Sequence, residues 1–230
     1  MSSSKPVAMI TGASGNLGRA VALKLLADDF EIVRADGLQP KSASGHQAYD
    51  ESLFVQADAT SQVSMGKAVE EILTHFGRID ALVHTVGGFA MGKMVHETSD
   101  QDLDAMMHLN VRSLLATAHA VVPPMIAKGK GSVVFISAAT SGKGLAGMGA
   151  YIAAKSAVAR LTESMSDELR HKGINVNCIM PSTMETPQNR AAIGNAVMVS
   201  LEDVANVCAF LVSDGARSVH GASIPVRGLT

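Results

Sequence analysis

The sequence predicts an α/β fold, a doubly wound parallel sheet of about seven strands with helices on both faces. Three observations carry this expectation. Short β-like apolar runs alternate with longer stretches of helical period along the whole chain. A glycine-rich turn joins the first run to the first helical stretch at Gly12-Ala-Ser-Gly15-Asn-Leu-Gly18. The chain has 230 residues, 47% hydrophobic and 17% charged, enough to bury a sizeable core without disulfide or metal staples. No repeat of 20–50 residues and no low-complexity linker interrupts it, so residues 1–230 are expected to form a single domain.

The first strand is expected at 6–10 and the first helix at 16–27, after the glycine turn. Strands follow at 31–35, 53–56 and 81–84, with a helix at 62–76. Residues 37–52 contain Pro40 and Gly45 and show no helical period, so they read as loop. A helix is expected at about 99–122 and a strand at 131–137. A helix at 150–171, a strand at 174–180, a helix at 201–213 and a short strand at 222–226 complete the pattern.

Composition excludes several classes of function. A net charge of −2 and 3% aromatics, with no Trp, supply neither a basic surface nor a stacking platform, so no nucleic acid partner is expected. No apolar run reaches the ~18 residues of a membrane span, and the four apolar residues after Pro6 are too few for a signal peptide, so none is expected. Cys178 and Cys208 lie in apolar runs and read as buried free thiols. The expectation is a soluble cytoplasmic protein with no membrane partner. The eight histidines never fall at H-x-x-x-H spacing, so no metal site is expected. Neither a G-x-S-x-G elbow nor a P-loop is present.

The glycine turn suits a dinucleotide. Glycines permit a tight turn and let the backbone from Gly12 through Ser14, Gly15, Asn16 and Leu17 to Gly18 approach a pyrophosphate at a helix N-terminus. The second strand ends in Arg34-Ala35-Asp36. A carboxylate there accepts hydrogen bonds from the adenosine ribose and repels a 2′-phosphate, so NAD is expected over NADP. Arg34 is the competing feature, because an arginine nearby can accommodate that phosphate. Further along, Tyr151-Ile-Ala-Ala-Lys155 places a phenol and an ammonium one helical turn apart on one face. An ammonium beside a phenol favours the phenolate and draws its pKa down toward neutrality, which suits a general acid–base.

Taken in order, the glycine turn, Asn110, Tyr151-x-x-x-Lys155 and the succession of strands resemble the short-chain dehydrogenase/reductase family. The resemblance runs from Val7 to about Gly228 and includes Asp58-Ala59, Gly87, Pro181, Thr186 and Val226-Arg-Gly228. It implies a Rossmann-type sheet, a nicotinamide cofactor, hydride transfer to or from a small-molecule substrate, and a homodimer or homotetramer. It also implies site roles. Lys155 contacts the nicotinamide ribose, Asn110 supports a relay water, Asp58 and Ala59 flank the adenine, and Thr186 lies near the carboxamide.

The sequence departs from that family in four places. Its usual catalytic serine, thirteen positions before the tyrosine, is Ala138, with hydroxyls nearby on Ser137, Thr140 and Ser141. Ser137 reads as the end of a buried strand, which leaves Thr140 or Ser141 to replace the donor. Asn16 stands where short members carry glycine, and its tolerance of positive φ should preserve the turn. The usual Asn-Asn-Ala-Gly after the fourth strand is His84-Thr-Val-Gly87, and His84 reads as a packed strand residue. Finally, the substrate lid at about 187–200 is short and polar, while Met148 and the methionines after Gly87 suit an apolar pocket. The quinonoid dihydropteridine reductases, one branch of the family, are similar in lacking the serine and in their short lid. Three functions are therefore expected in turn: an NAD(H)-dependent oxidoreductase acting on a small carbonyl or alcohol, a dihydropteridine reductase-like enzyme, or a non-catalytic dinucleotide sensor.

Overall fold

The computed structural model describes residues 5–38 and 44–228. Among these, seven parallel strands form one sheet in the order β3-β2-β1-β4-β5-β6-β7. They are β1 (Val7–Thr11), β2 (Glu31–Asp36), β3 (Leu53–Gln56), β4 (Ala81–His84), β5 (Gly131–Ile136), β6 (Ile174–Pro181) and β7 (Ser223–Val226). The order reverses between β1 and β4, which pair with Thr11 opposite His84. In open α/β sheets that reversal opens a crevice at the carboxyl ends of the strands.

Period-two side-chain alternation divides the core into two layers. Val7, Met9, Val133 and Phe135 face α3 (Gln62–Phe76), α5 (Ser113–Lys128) and α6 (Gly149–Leu169). Their neighbours Ala8, Ile10, Val134 and Ile136 face α1 (Asn16–Ala27) and α8 (Leu201–Val212) on the other side. Both free cysteines are buried in these layers. No helix of the described residues is long and apolar enough to cross a membrane.

Three elements differ from expectation. The stretch read as loop contains a five-residue helix, α2 (Gln47–Glu51), capped by His46, whose Nδ1 accepts from the Tyr49 amide at 3.3 Å. Five residues are too few to display a helical period. Residues 39–43 of that stretch, Pro40 included, lie outside the described residues. The third long helix is composite: α4 (Asp100–Met107), a π-helical turn (His108–Arg112) and α5 run together. It passes through Pro123 and Pro124 and stops only at Gly129, in the left-handed conformation at φ 72°. The polar lid segment holds a seven-residue helix, α7 (Pro187–Ile193), capped by Thr186 Oγ1 accepting from the Asn189 amide.

Candidate active site

The floor of the crevice is the turn after β1. Gly12 adopts φ 68°, and a Cβ on it would lie 2.9 Å from Thr85 Oγ1. Gly18 is tighter, since a Cβ there would stand 2.2 Å from the Gly12 carbonyl oxygen. Glycine at both positions is therefore steric necessity. Asn16 is the first residue of α1 and needs no positive φ; among described non-glycine residues only Asp29 has one. The expectation that Asn16 would bear that strain is corrected, because Gly12 takes the left-handed turn. Gly15 caps α1 without a side-chain hydrogen bond, and no acidic residue occupies the first turn. The leading N–H groups of the helix are thus left for an anion.

At the end of β2, Asp36 accepts from the Ser14 amide at 2.9 Å and the Gly37 amide at 2.8 Å, with lone pairs to spare. Asp36 lines a cleft with Gly12, Asp58, Ala59 and Thr60. Asp58 accepts from the Thr60 amide and hydroxyl, which hold its carboxyl below the usual range. Arg34 takes no part in this cleft. Its guanidinium is buried beneath α2, 4.7 Å from the Tyr49 ring centroid, and donates to the carbonyls of Asp50 and Ser52. Tyr49 in turn donates to the Ala13 carbonyl at 2.9 Å, so α2 braces the glycine turn.

Across the crevice, Gly87 brings two polar side chains together. A Cβ on it would lie 2.8 Å from Asn110 Oδ1 and 3.0 Å from Lys155 Nζ. The Asn110 amide closes the π-turn onto the loop after β4. Its Nδ2 donates to the carbonyls of Met106 (2.9 Å) and Gly88 (3.2 Å), and its Oδ1 accepts from the Gly88 amide. One acceptor site on Oδ1 remains for a water. A π-turn at a site residue is a recurrent functional device.

Lys155 is 6% exposed and donates to the Ile136 carbonyl at 2.9 Å; burial lowers its ammonium to about 8. Tyr151 lies one turn earlier on α6, its ring edge-on to Phe89 at 4.9 Å. Burial raises the phenol above its ordinary value. The expected lowering by Lys155 is therefore corrected, because that ammonium is committed to the end of β5 and does not offset desolvation.

The hydroxyls around Ala138 are mostly engaged. Ser137 is buried at the end of β5 and donates to the Lys155 carbonyl at 2.7 Å. Ser141 Oγ points at Met180 Sδ, 3.3 Å away. Thr140 Oγ1 is buried without a partner. Met148 precedes α6 and lines a cavity with Met91 and Ala150. Pro181 ends β6 and is buried, whereas Thr186 spends its hydroxyl on the α7 cap.

The altered segment after β4 rebuilds its hydrogen bonds with other side chains. Ser113 Oγ donates to the Leu109 carbonyl (2.6 Å), so its oxygen accepts from His84 Nε2–H (3.1 Å), and Nδ1 accepts from Thr11 Oγ1–H (2.8 Å). Thr85 donates to the Thr11 carbonyl at 2.7 Å. His84 is thus the packed strand residue expected, and nothing in the sequence marked Ser113 as its partner. Burial, with a smaller contribution from the Lys155 charge, depresses the imidazole to about 3. Between about pH 6.5 and 3 the unfolded chain takes a proton that folded His84 refuses. Stability therefore falls on acidification, by ~1.4 kcal/mol per pH unit once below the unfolded pKa. Urea unfolding at pH 6, 5 and 4 should show His84→Gln losing about one proton's worth of that slope; an unaltered slope contradicts the assignment.

The family model described as short chain dehydrogenase matches residues 6–195. The chain is 30% identical to 2-(R)-hydroxypropyl-CoM dehydrogenase of Xanthobacter autotrophicus, over 96% of this chain and 97% of that protein. It is 26% identical to the 3-oxoacyl-[acyl-carrier-protein] reductase FabG of Escherichia coli, over 96% of each. Among solved structures it superposes on NADP-bound ElxO with a TM-score of 0.90 at 24% identity, covering 97% of this chain and 98% of that one. NAD+-bound xylitol dehydrogenase gives 0.87 at 23% identity, covering 96% and 97%. With the fold, the family model and these relatives in agreement, the chain belongs to the short-chain dehydrogenase/reductase family of oxidoreductases.

Proposed function

We propose that the protein is an NAD(H)-dependent oxidoreductase that moves a hydride between nicotinamide and a small carbonyl or alcohol, within a single dinucleotide-binding and catalytic domain. One observation carries this reading: Tyr151 lies one turn from Lys155, while Lys155 and Asn110 converge on Gly87 beside the β1/β4 reversal. In it, Tyr151 transfers the proton at the substrate oxygen, Lys155 holds the ribose, and Asn110 orders a relay water. The bound nicotinamide supplies or accepts the hydride, and the protein supplies orientation. The glycine turn fits the pyrophosphate, Asp58 and Ala59 fit the adenine side, and Pro181 and Thr186 fit the nicotinamide side. Self-association into a homodimer or homotetramer is part of this reading, supported by exposed Leu103, Leu109 and Leu115 along the composite helix.

Of the solved neighbours, ElxO is NADP-bound and xylitol dehydrogenase NAD+-bound, so the choice rests on this chain's own residues. Asp36 faces the cleft and Arg34 is buried away from it, both favouring NAD. NAD(H) should bind at least tenfold tighter than NADP(H), or ~1.4 kcal/mol, and Asp36→Ala should narrow the gap. Fluorescence titration with each reduced cofactor measures this; equal affinities in the wild type overturn it. A second reading, reduction of a quinonoid dihydropterin, is favoured by Ala138 and the burial of Thr140 Oγ1, which leave the substrate oxygen without the usual hydroxyl.

A further inference from the structure

The loop after β4 displays large apolar side chains to solvent. Phe89 is 59% exposed, Met91 65%, Met94 61% and Val95 76%. An exposed apolar strip of this kind marks a binding surface more often than chance. Hydrogen bonds hold the strip in place. The Gly92 amide donates to the Gly147 carbonyl at 2.8 Å, and Thr98 Oγ1 donates to the Met94 carbonyl at 3.1 Å. Gly149 permits the close approach of Val95, whose Cγ2 would lie 3.0 Å from a Cβ there. The strip is continuous with the proposed acid–base, since the Phe89 ring meets the Tyr151 ring.

Between this loop and the start of α6 lies a cavity whose apolar lining includes Ala90, Met91, Met148 and Ala150. Its two charged lining residues, Lys93 and Asp102, pair at 2.6 Å, and Asp102 also accepts from Ser99 Oγ. On α7, Arg190 is likewise committed, to Glu185 and to the Gly194 carbonyl. An anionic substrate group entering this cavity would have to displace Asp102 from Lys93 or lie beside the carboxylate. An uncharged apolar body can pack on Ala90, Met91, Met148 and Ala150 and leave that ion pair in place.

We propose that the Tyr151 site selects uncharged substrates with an apolar body, such as aryl or long alkyl ketones and their alcohols, over substrates anchored by a carboxylate, sulfonate or phosphate. The proposal rests on the hydride-transfer reading above and adds the substrate class. The test uses the full chain loaded with NADH and two matched probes, 4-methylacetophenone and 4-acetylbenzoate, with binding measured by calorimetry and turnover by NADH absorbance. The methyl ketone should bind at least tenfold tighter and react at least tenfold faster in kcat/KM. Asp102→Asn, which retains an α4 cap and releases Lys93, should shrink the ratio of the two affinities at least tenfold.

Equal or tighter binding of the carboxylate overturns the proposal, as does failure of both ketones to bind, or a clear preference for quinonoid dihydropterin. If Met91→Ser and Met94→Ser weaken self-association in sedimentation while leaving ketone affinity unchanged, the strip is a contact between copies and the proposal fails. Loss of NADH binding by the wild type would instead sink the hydride-transfer reading itself, so the two failures are distinguishable.

Discussion

Tyr151→Phe should lower turnover at saturating NADH at least 100-fold while leaving NADH affinity within about threefold. General acid–base catalysis is typically worth ~10²–10⁴-fold, and the substitution removes only the hydroxyl. The ring and its edge contact with Phe89 are retained, so the pocket should keep its shape. Because burial raises the phenol, Tyr151 holds its proton at neutral pH and is in the form needed to donate to a carbonyl oxygen. Reduction should therefore be the easier direction at pH 7, with alcohol oxidation gaining as pH rises. Single-turnover kinetics with preloaded NADH separates chemistry from binding. Turnover retained above about a tenth would remove Tyr151 from its assigned role. NADH binding by the wild type without turnover of ketones, alcohols or pterins would favour a non-catalytic sensor.

Gly18→Ala should weaken NADH binding about 10- to 100-fold and lower stability, the effect expected of ~1–3 kcal/mol of overpacking. The new methyl would overlap the Gly12 carbonyl and press on Ala13 Cα, at 2.2 and 2.8 Å, and both are backbone atoms that cannot rotate aside. Gly66 provides the control. It lies within α3 with nothing near its would-be Cβ, so Gly66→Ala should stabilise by ~0.5–1 kcal/mol through helix propensity alone. NADH titration and thermal melts on the three proteins give the comparison. Wild-type affinity in Gly18→Ala would show that the loop relaxes freely and that the glycine is not required by packing.

Much of this architecture is legible before any coordinates, because its signals are periodic or chemically rare. A continuous apolar run such as Val7-Ala-Met-Ile10 reports a strand buried on both faces, and Tyr151 with Lys155 at one-turn spacing reports a shared helix face. What escapes is short or non-local. The α2 turn leaves no period, and its anchor Tyr49 is recognised only through Ala13, 36 residues away. The His84–Ser113 contact joins residues 29 apart on different elements. The π-turn has no residue code, since Asn110 looks the same in an α-helical or a π-helical setting. The helix expected to end near 122 runs on through Pro123 and Pro124 to Lys128, because Val121 and Met125 pack into the core. The phenol shift at Tyr151 also escapes, because adjacency on a helix face does not say where a lysine aims its ammonium.

The π-turn has a consequence for how one helix serves two neighbours. Upstream of it α4 packs on α6, and downstream α5 packs on α3. A regular α-helix presents a fixed stripe, each residue advancing about 100°. The wider turn at 108–112 absorbs extra chain and resets that angular phase, so two stripes on one rod can address two partners. Asn110 stands at the phase break and cannot be moved along either stripe independently. Insertion or deletion of a residue within 108–112 would rotate α5 against α4 by about that same angle, mispointing one of the two interfaces together with the side chain between them.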